Sequence, residues 1–177
     1  ITLRDGWIVT ATAPILEGGF SHAAFGTAAR KAYVELNHVL ICVSENVFAT
    51  DELNRFGLKE GKPFHHPGQG TQVRRFFFSN AYLGLMCLRN ARDVLSGESG
   101  RTMLHERLCD ARPPGVSPFI VGIRDCDGRG VETFTWQYAP RYTPIMSPVR
   151  IARTLLSEPM WLFLGKDPPT PGATHAE

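Results

Sequence analysis

Three absences narrow this chain before any motif is considered. There is no CxxC pair. The four cysteines stand at 42, 87, 109 and 126, which fits neither a zinc ribbon nor a dithiol redox motif. There is no apolar run approaching the roughly 18 to 20 residues of a membrane-spanning helix, so we expect no membrane partner. There is also no excess of one charge. Nineteen Lys and Arg stand against 17 Asp and Glu, the net +2 is small, and the basic residues are scattered. That excludes the basic stripe of a nucleic-acid-binding surface.

What is present is ordinary for a globular domain: 43% apolar and 20% charged residues over 177 positions. A chain of this length can bury a core without staples, and the prior favours one domain. Cys42 and Cys87 fall inside apolar strands, where a free thiol behaves as a small hydrophobe. We read all four cysteines as reduced and expect a cytoplasmic protein.

Residues 1–33 show no clear period. Trp7 to Thr10 reads as a short strand, and Pro14, Thr10 and Thr12 break the apolar core a secretory signal needs. This stretch is left as an unassigned arm. Organisation begins near Tyr33 and runs to 165. Residues 38–44 predict a strand, Asn46 a helix cap, and Val47 to Phe56 a short helix ended by Gly57. A weak strand follows at 58–64, then a Gly/Pro-rich loop at 65–71, then strands at 72–78 and 82–88. Residues 90–116 read as a connection with a helix at 101–110. Strands are expected at 118–125, 131–138 and 160–164, and 149–156 fits helix or strand. After Gly165 the Pro-rich tail is expected to be disordered.

Period-two alternation assigns faces. Val39, Ile41 and Val43 suit packing under the helix, with Leu83, Leu85, Cys87, Phe76 and Phe78. The opposite face then carries His38, Leu40 and Cys42, Tyr82, Gly84 and Met86, and Val73, Arg75 and Phe77.

The stretch His65-His66-Pro67-Gly68-Gln69-Gly70-Thr71, then Arg74 to Phe78 and Tyr82 to Leu85, preceded by Asn37 to Val43, resembles the first half of a glyoxalase-like domain of the vicinal-oxygen-chelate superfamily. The resemblance implies an α+β fold. In it, paired βαβββ modules have curled mixed sheets around a cavity, here with the second module abbreviated. It also implies a small-molecule ligand, and the abbreviated half leaves room for a homodimer.

The family typically holds a metal with one His or carboxylate from each of four strands. The resemblance places those positions at His38, at Gly84, and on the strands 119–123 and 160–164. Only His38 is a plausible ligand, so a divalent metal is conceivable but not favoured, because such sites need about three protein ligands. Ligand-binding candidates are His38, Arg75, Tyr82, His66 and Trp136, with His65 beside them. Arg75 would take a carboxylate or phosphate. Tyr82 would orient a substrate oxygen, and Trp136 would stack on a flat ligand. Core packing is the competing role for each ring. No residue is named as catalytic. Two functions stay open: an enzyme acting on a small oxygenated molecule, as lyase, isomerase or dioxygenase, or a metal-free module that sequesters or senses such a molecule.

Overall fold

The computed structural model describes residues 34–44, 49–125, 132–142 and 149–165. All belong to one unit, residues 32–177. The arm at 1–33, Asn46, Cys126 and the tail after Gly165 lie outside the described residues. Cys42, Cys87 and Cys109 are free thiols. Among the described residues no helix is long and apolar enough to cross a membrane.

The fold is α+β, and the described residues form one mixed eight-stranded sheet and four short helices. In chain order the first elements are β1 (Val34–Cys42), α1 (Ala49–Arg55), β2 (Phe64–His66), β3 (Thr71–Phe77) and β4 (Tyr82–Leu88). Next come α2 (Ala91–Leu95), α3 (Gly97–Gly100) and α4 (Leu104–Leu108), then β5 (Phe119–Asp125), β6 (Thr135–Tyr138), β7 (Val149–Ala152) and β8 (Met160–Leu164). The strand order is β2-β3-β4-β1-β5-β8-β7-β6. β1 runs parallel to β4 and antiparallel to β5, and β5 runs parallel to β8.

Several expected boundaries move. The strand sought at 58–64 is reduced to an isolated bridge between Glu60 and Phe76, and β2 instead occupies part of the run read as a loop. The reason is the tight connection behind it. Gly68 and Gly70 both take positive φ, and His66 pairs directly with Thr71. The ambiguous stretch at 149–156 resolves as the short strand β7. The strand expected from 131 begins only at Thr135. The helix expected at 101–110 is confined to α4, because Met103 sits in the left-handed region at φ 53 and starts the helix late.

The period-two face groups match the observed register. His38 faces Tyr82, Leu40 faces Gly84 and Cys42 faces Met86, while Arg75 faces Gly84 and Phe77 faces Tyr82. Which face is covered by helices differs from expectation. The face assigned to a hollow holds the core: Leu40, Cys42, Val73 and Met86 pack with Val94, Leu104 and Leu108 from α2 and α4. The connecting segment therefore fills much of the expected space.

Side chains from opposite ends of the strand order also touch. Tyr138, the last residue of β6, donates its hydroxyl to Gln69 Oε1, between β2 and β3, at 2.8 Å. In a flat sheet, six inter-strand steps of about 4.8 Å would hold these apart by roughly 30 Å. One hydrogen bond thus joins the two ends of the strand order.

Candidate functional site

Four of the five ligand-binding candidates gather in one place, where the first half of the sheet meets the segment after β6. His38 projects from the middle of β1. Its Nδ1 lies 2.8 Å from Asn37 Oδ1, and its ring stacks on Tyr82 at 4.8 Å between centroids. The His38 ring also lies over Gly122 of β5. A Cβ added there would sit 2.5 Å from Nε2 and 2.6 Å from Nδ1. Burial holds the His38 pKa down at about 4, so the ring is neutral. With Nδ1 donating to the Asn37 amide oxygen, Nε2 is left with the lone pair.

His66 ends a directional chain of buried hydrogen bonds. Ser99 Oγ meets the Tyr138 hydroxyl at 3.3 Å, and that hydroxyl donates to Gln69 Oε1. Gln69 Nε2 donates to Thr71 Oγ1 at 2.8 Å, which leaves the Thr71 hydroxyl to donate to His66 Nδ1 at 2.7 Å. The neutral His66 tautomer therefore carries its proton on Nε2. Its pKa falls to about 3, first through burial, then through the positive charge of Arg75 and the nearby His38 and His65. The ring also meets Tyr142 at 4.3 Å and Phe64 at 5.0 Å. Burial, with Tyr138 and Tyr82 close by, pushes the Tyr142 hydroxyl well above the usual phenol range. Tyr82 is likewise raised, to about 12, by burial.

Arg75 supplies the positive charge. Its guanidinium lies between the Phe64 and Phe77 rings, at 5.0 and 5.2 Å, and donates from Nη2 to the Lys62 carbonyl at 3.2 Å. Its buried Nε has no hydrogen-bond partner among the described residues. The contrast with Arg74, one residue away on the opposite face, is direct. Arg74 makes a bidentate pair with Glu60 at 2.6 Å for each bond. Among the described residues, Arg75 has no carboxylate.

His65 is exposed on β2. Trp136 is not in this group. It lies at the far end of the strand order and packs on the core, with the Arg101 guanidinium 4.5 Å from its ring centre. Tyr142, Gln69 and Thr71 belong to the group but were not singled out from sequence. The polar Gln69-Gly70-Thr71 run inside an aromatic stretch was the available signal.

The donor set does not fit a metal held as in the resembled family. A Cβ at position 84 would lie 2.5 Å from Leu40 Cδ2 and 2.7 Å from Val73 Cγ1, so packed apolar side chains occupy the space a carboxylate would need. Position 122 on β5 is a glycine beneath the His38 ring. Among the described residues no three His, Cys, Asp or Glu side chains converge.

No protein-family model matches the chain, and no curated protein matches it. Among solved structures, a hypothetical protein from Bacillus halodurans C-125 aligns with a TM-score of 0.46 and 10% identity, over 76% of this chain and 96% of that one. A hypothetical protein from Staphylococcus aureus aligns with a TM-score of 0.40 and 14% identity, over 75% of this chain and 59% of that one. Likeness at this level carries no functional argument.

Proposed function

We propose that this chain is a glyoxalase-like domain that binds a small oxygenated anion without a metal. The equivalent pairings β1 with β4 and β5 with β8, both parallel, support reading the sheet as two modules. The contact between its ends supports a curled arrangement. The observation that carries the function is Arg75: a guanidinium with no counterion among the described residues, close to neutral His66 and the Tyr82 hydroxyl, with neutral His38 stacked on Tyr82. Such a cation favours a carboxylate or phosphate. His66 Nε2–H offers a donor and His38 Nε2 an acceptor, so a ligand with an anionic oxygen and an adjacent hydroxyl would match both.

Calorimetric titration with oxalate, pyruvate and inorganic phosphate tests the reading. At least one should bind wild-type protein before and after treatment with EDTA. Arg75→Met should weaken it about tenfold or more, as expected for one lost charge-assisted hydrogen bond of about 1.5–3 kcal/mol. Binding that disappears with chelation restores the metal reading. Silence from all three anions, or equal binding by Arg75→Met, removes the proposal.

A further inference from the structure

Trp136, absent from the His38 group, lines a separate cleft of about 470 Å³ between the β6–β8 end of the sheet and the segment joining α3 to α4. That volume lies within the range of small-molecule sites. Its floor is apolar: Trp136 with Ile151 and Met160, the last two almost fully buried. Its rim is cationic. Arg101 and Arg153 both line it, both are exposed, and neither has an ion-pair partner among the described residues.

The lone carboxylate at the rim, Glu158, is engaged by the Leu155 backbone N–H at 2.9 Å. Arg107 lies beneath and is structural. It is buried and directs Nη1 at the carbonyls of Ser117, Leu156 and Glu158, which holds the cleft wall in place.

The backbone that presents Arg101 is strained. Met103, on the rim, holds φ 53 without being glycine, a conformation that persists only when its surroundings enforce it. Thr102 does so here: its buried hydroxyl donates to the Ser99 carbonyl and accepts from the Leu104 N–H. The turn thereby keeps the Arg101 guanidinium against the Trp136 ring.

We infer that this cleft binds an organic anion with an apolar body, the body against Trp136, Ile151 and Met160 and the charged end taken by Arg101 and Arg153. An apolar floor supplies affinity through burial, and two guanidinium groups with no ion-pair partner among the described residues select the charge. The site shares no residue with the Arg75 group, so one ligand can bind while the other site is empty.

The test uses 2-naphthoate and its neutral analogue 2-naphthamide, titrated calorimetrically into the full chain, with the Trp136 indole N–H resonance followed by NMR. Naphthoate should bind and shift that resonance. The amide should bind about tenfold more weakly. The double variant Arg101→Gln/Arg153→Gln should lose about tenfold for naphthoate and nothing for the amide. Both substitutions lie on exposed side chains, and an unchanged melting temperature shows that the fold is intact. Equal binding of acid and amide overturns the inference, as does an indifferent double variant. No binding of naphthoate by wild-type protein also overturns it, and so does naphthoate binding that Arg75→Met abolishes.

Discussion

Gly122→Ala probes the centre of the candidate site. An added Cβ would overlap the His38 ring, at 2.5 Å from Nε2 and 2.6 Å from Nδ1. The ring cannot yield freely. Nδ1 is bonded to Asn37 and the ring face lies on Tyr82. Displacing it sacrifices a buried hydrogen bond of about 1 kcal/mol and a ring stack of about 0.5–1.5 kcal/mol. Replacing a strand glycine by alanine returns roughly 0.5–1 kcal/mol of backbone entropy. The net cost is therefore about 0.5–2 kcal/mol, at the low end of overpacking penalties. For a domain of this size that lowers the melting temperature by roughly 2–6 °C. His38→Ala separates the steric account from a generic strand effect. With the imidazole gone, Gly122→Ala should become neutral or stabilising by up to about 1 kcal/mol, a coupling of about 2 kcal/mol in a double-mutant cycle. Urea unfolding of the four proteins measures it. A coupling below about 0.5 kcal/mol would show that the ring does not lie on Gly122, and the geometry of the site would fall with it.

Gly84→Glu should cost at least about 3 kcal/mol, because the new side chain meets Leu40 and Val73 and brings a charge into the core. A variant that melts like wild type and carries stoichiometric divalent metal by elemental analysis would contradict this. Tyr138→Phe removes the donor to Gln69 Oε1 and leaves a buried acceptor unpaired, so its urea midpoint should drop by the equivalent of about 1–3 kcal/mol; no change would mean the two ends of the sheet do not meet there. Stability should also depend on pH through His38 and His66. Their folded pKa values, about 4 and about 3, lie below the unfolded value of 6.5, so the unfolded chain takes up protons first on acidification. Their contribution is complete above about pH 6.5 and is lost as pH falls toward 4, with a slope approaching about 2.7 kcal/mol per pH unit for two rings. His66→Gln should halve that slope in urea midpoints taken between pH 4.5 and 7.5, and a flat wild-type profile would mean the rings are not buried.

The strand faces were legible because a period of two leaves no freedom: once His38 is placed, Tyr82, Arg75 and Gly84 follow through the register. That is also why His38, Tyr82 and Arg75 could be placed on one face from sequence, whereas His66, read as a loop residue, carried no such signal. Of the described helices, α1 and α4 fall within stretches read as helical, whereas α2 and α3 were not legible. α2 and α3 span five and four residues, too short for a 3.6-residue period to show, and α3 begins and ends in glycine. They form through local caps and tertiary packing. Asn90 Oδ1 accepts from the Arg92 and Asp93 N–H groups, and Val94 is buried in the core. Tyr142 was missed because its contacts, to Phe64 and His66, are far away in sequence and its own surroundings carry no pattern. Gln69 and Tyr138 pair across 69 positions, a separation that no local signal reaches.

Gly84 has a different meaning in three dimensions from the one its position suggested. As a letter it is an absent ligand. In the fold it is a space occupied by Leu40 and Val73, and Gly122 is likewise a space occupied by His38. Both glycines let a side chain from β1 lie across a neighbouring strand, and with α2 and α4 they close the middle of the sheet's inner face. Arg75 lies toward one end of the strand order and Arg101 with Arg153 beside the other, and among the described residues none of the three has an ion-pair partner. A burial-driven fold tolerates an unpaired guanidinium only where water or a ligand can reach it. The two proposed ligand sites rest on these three arginines.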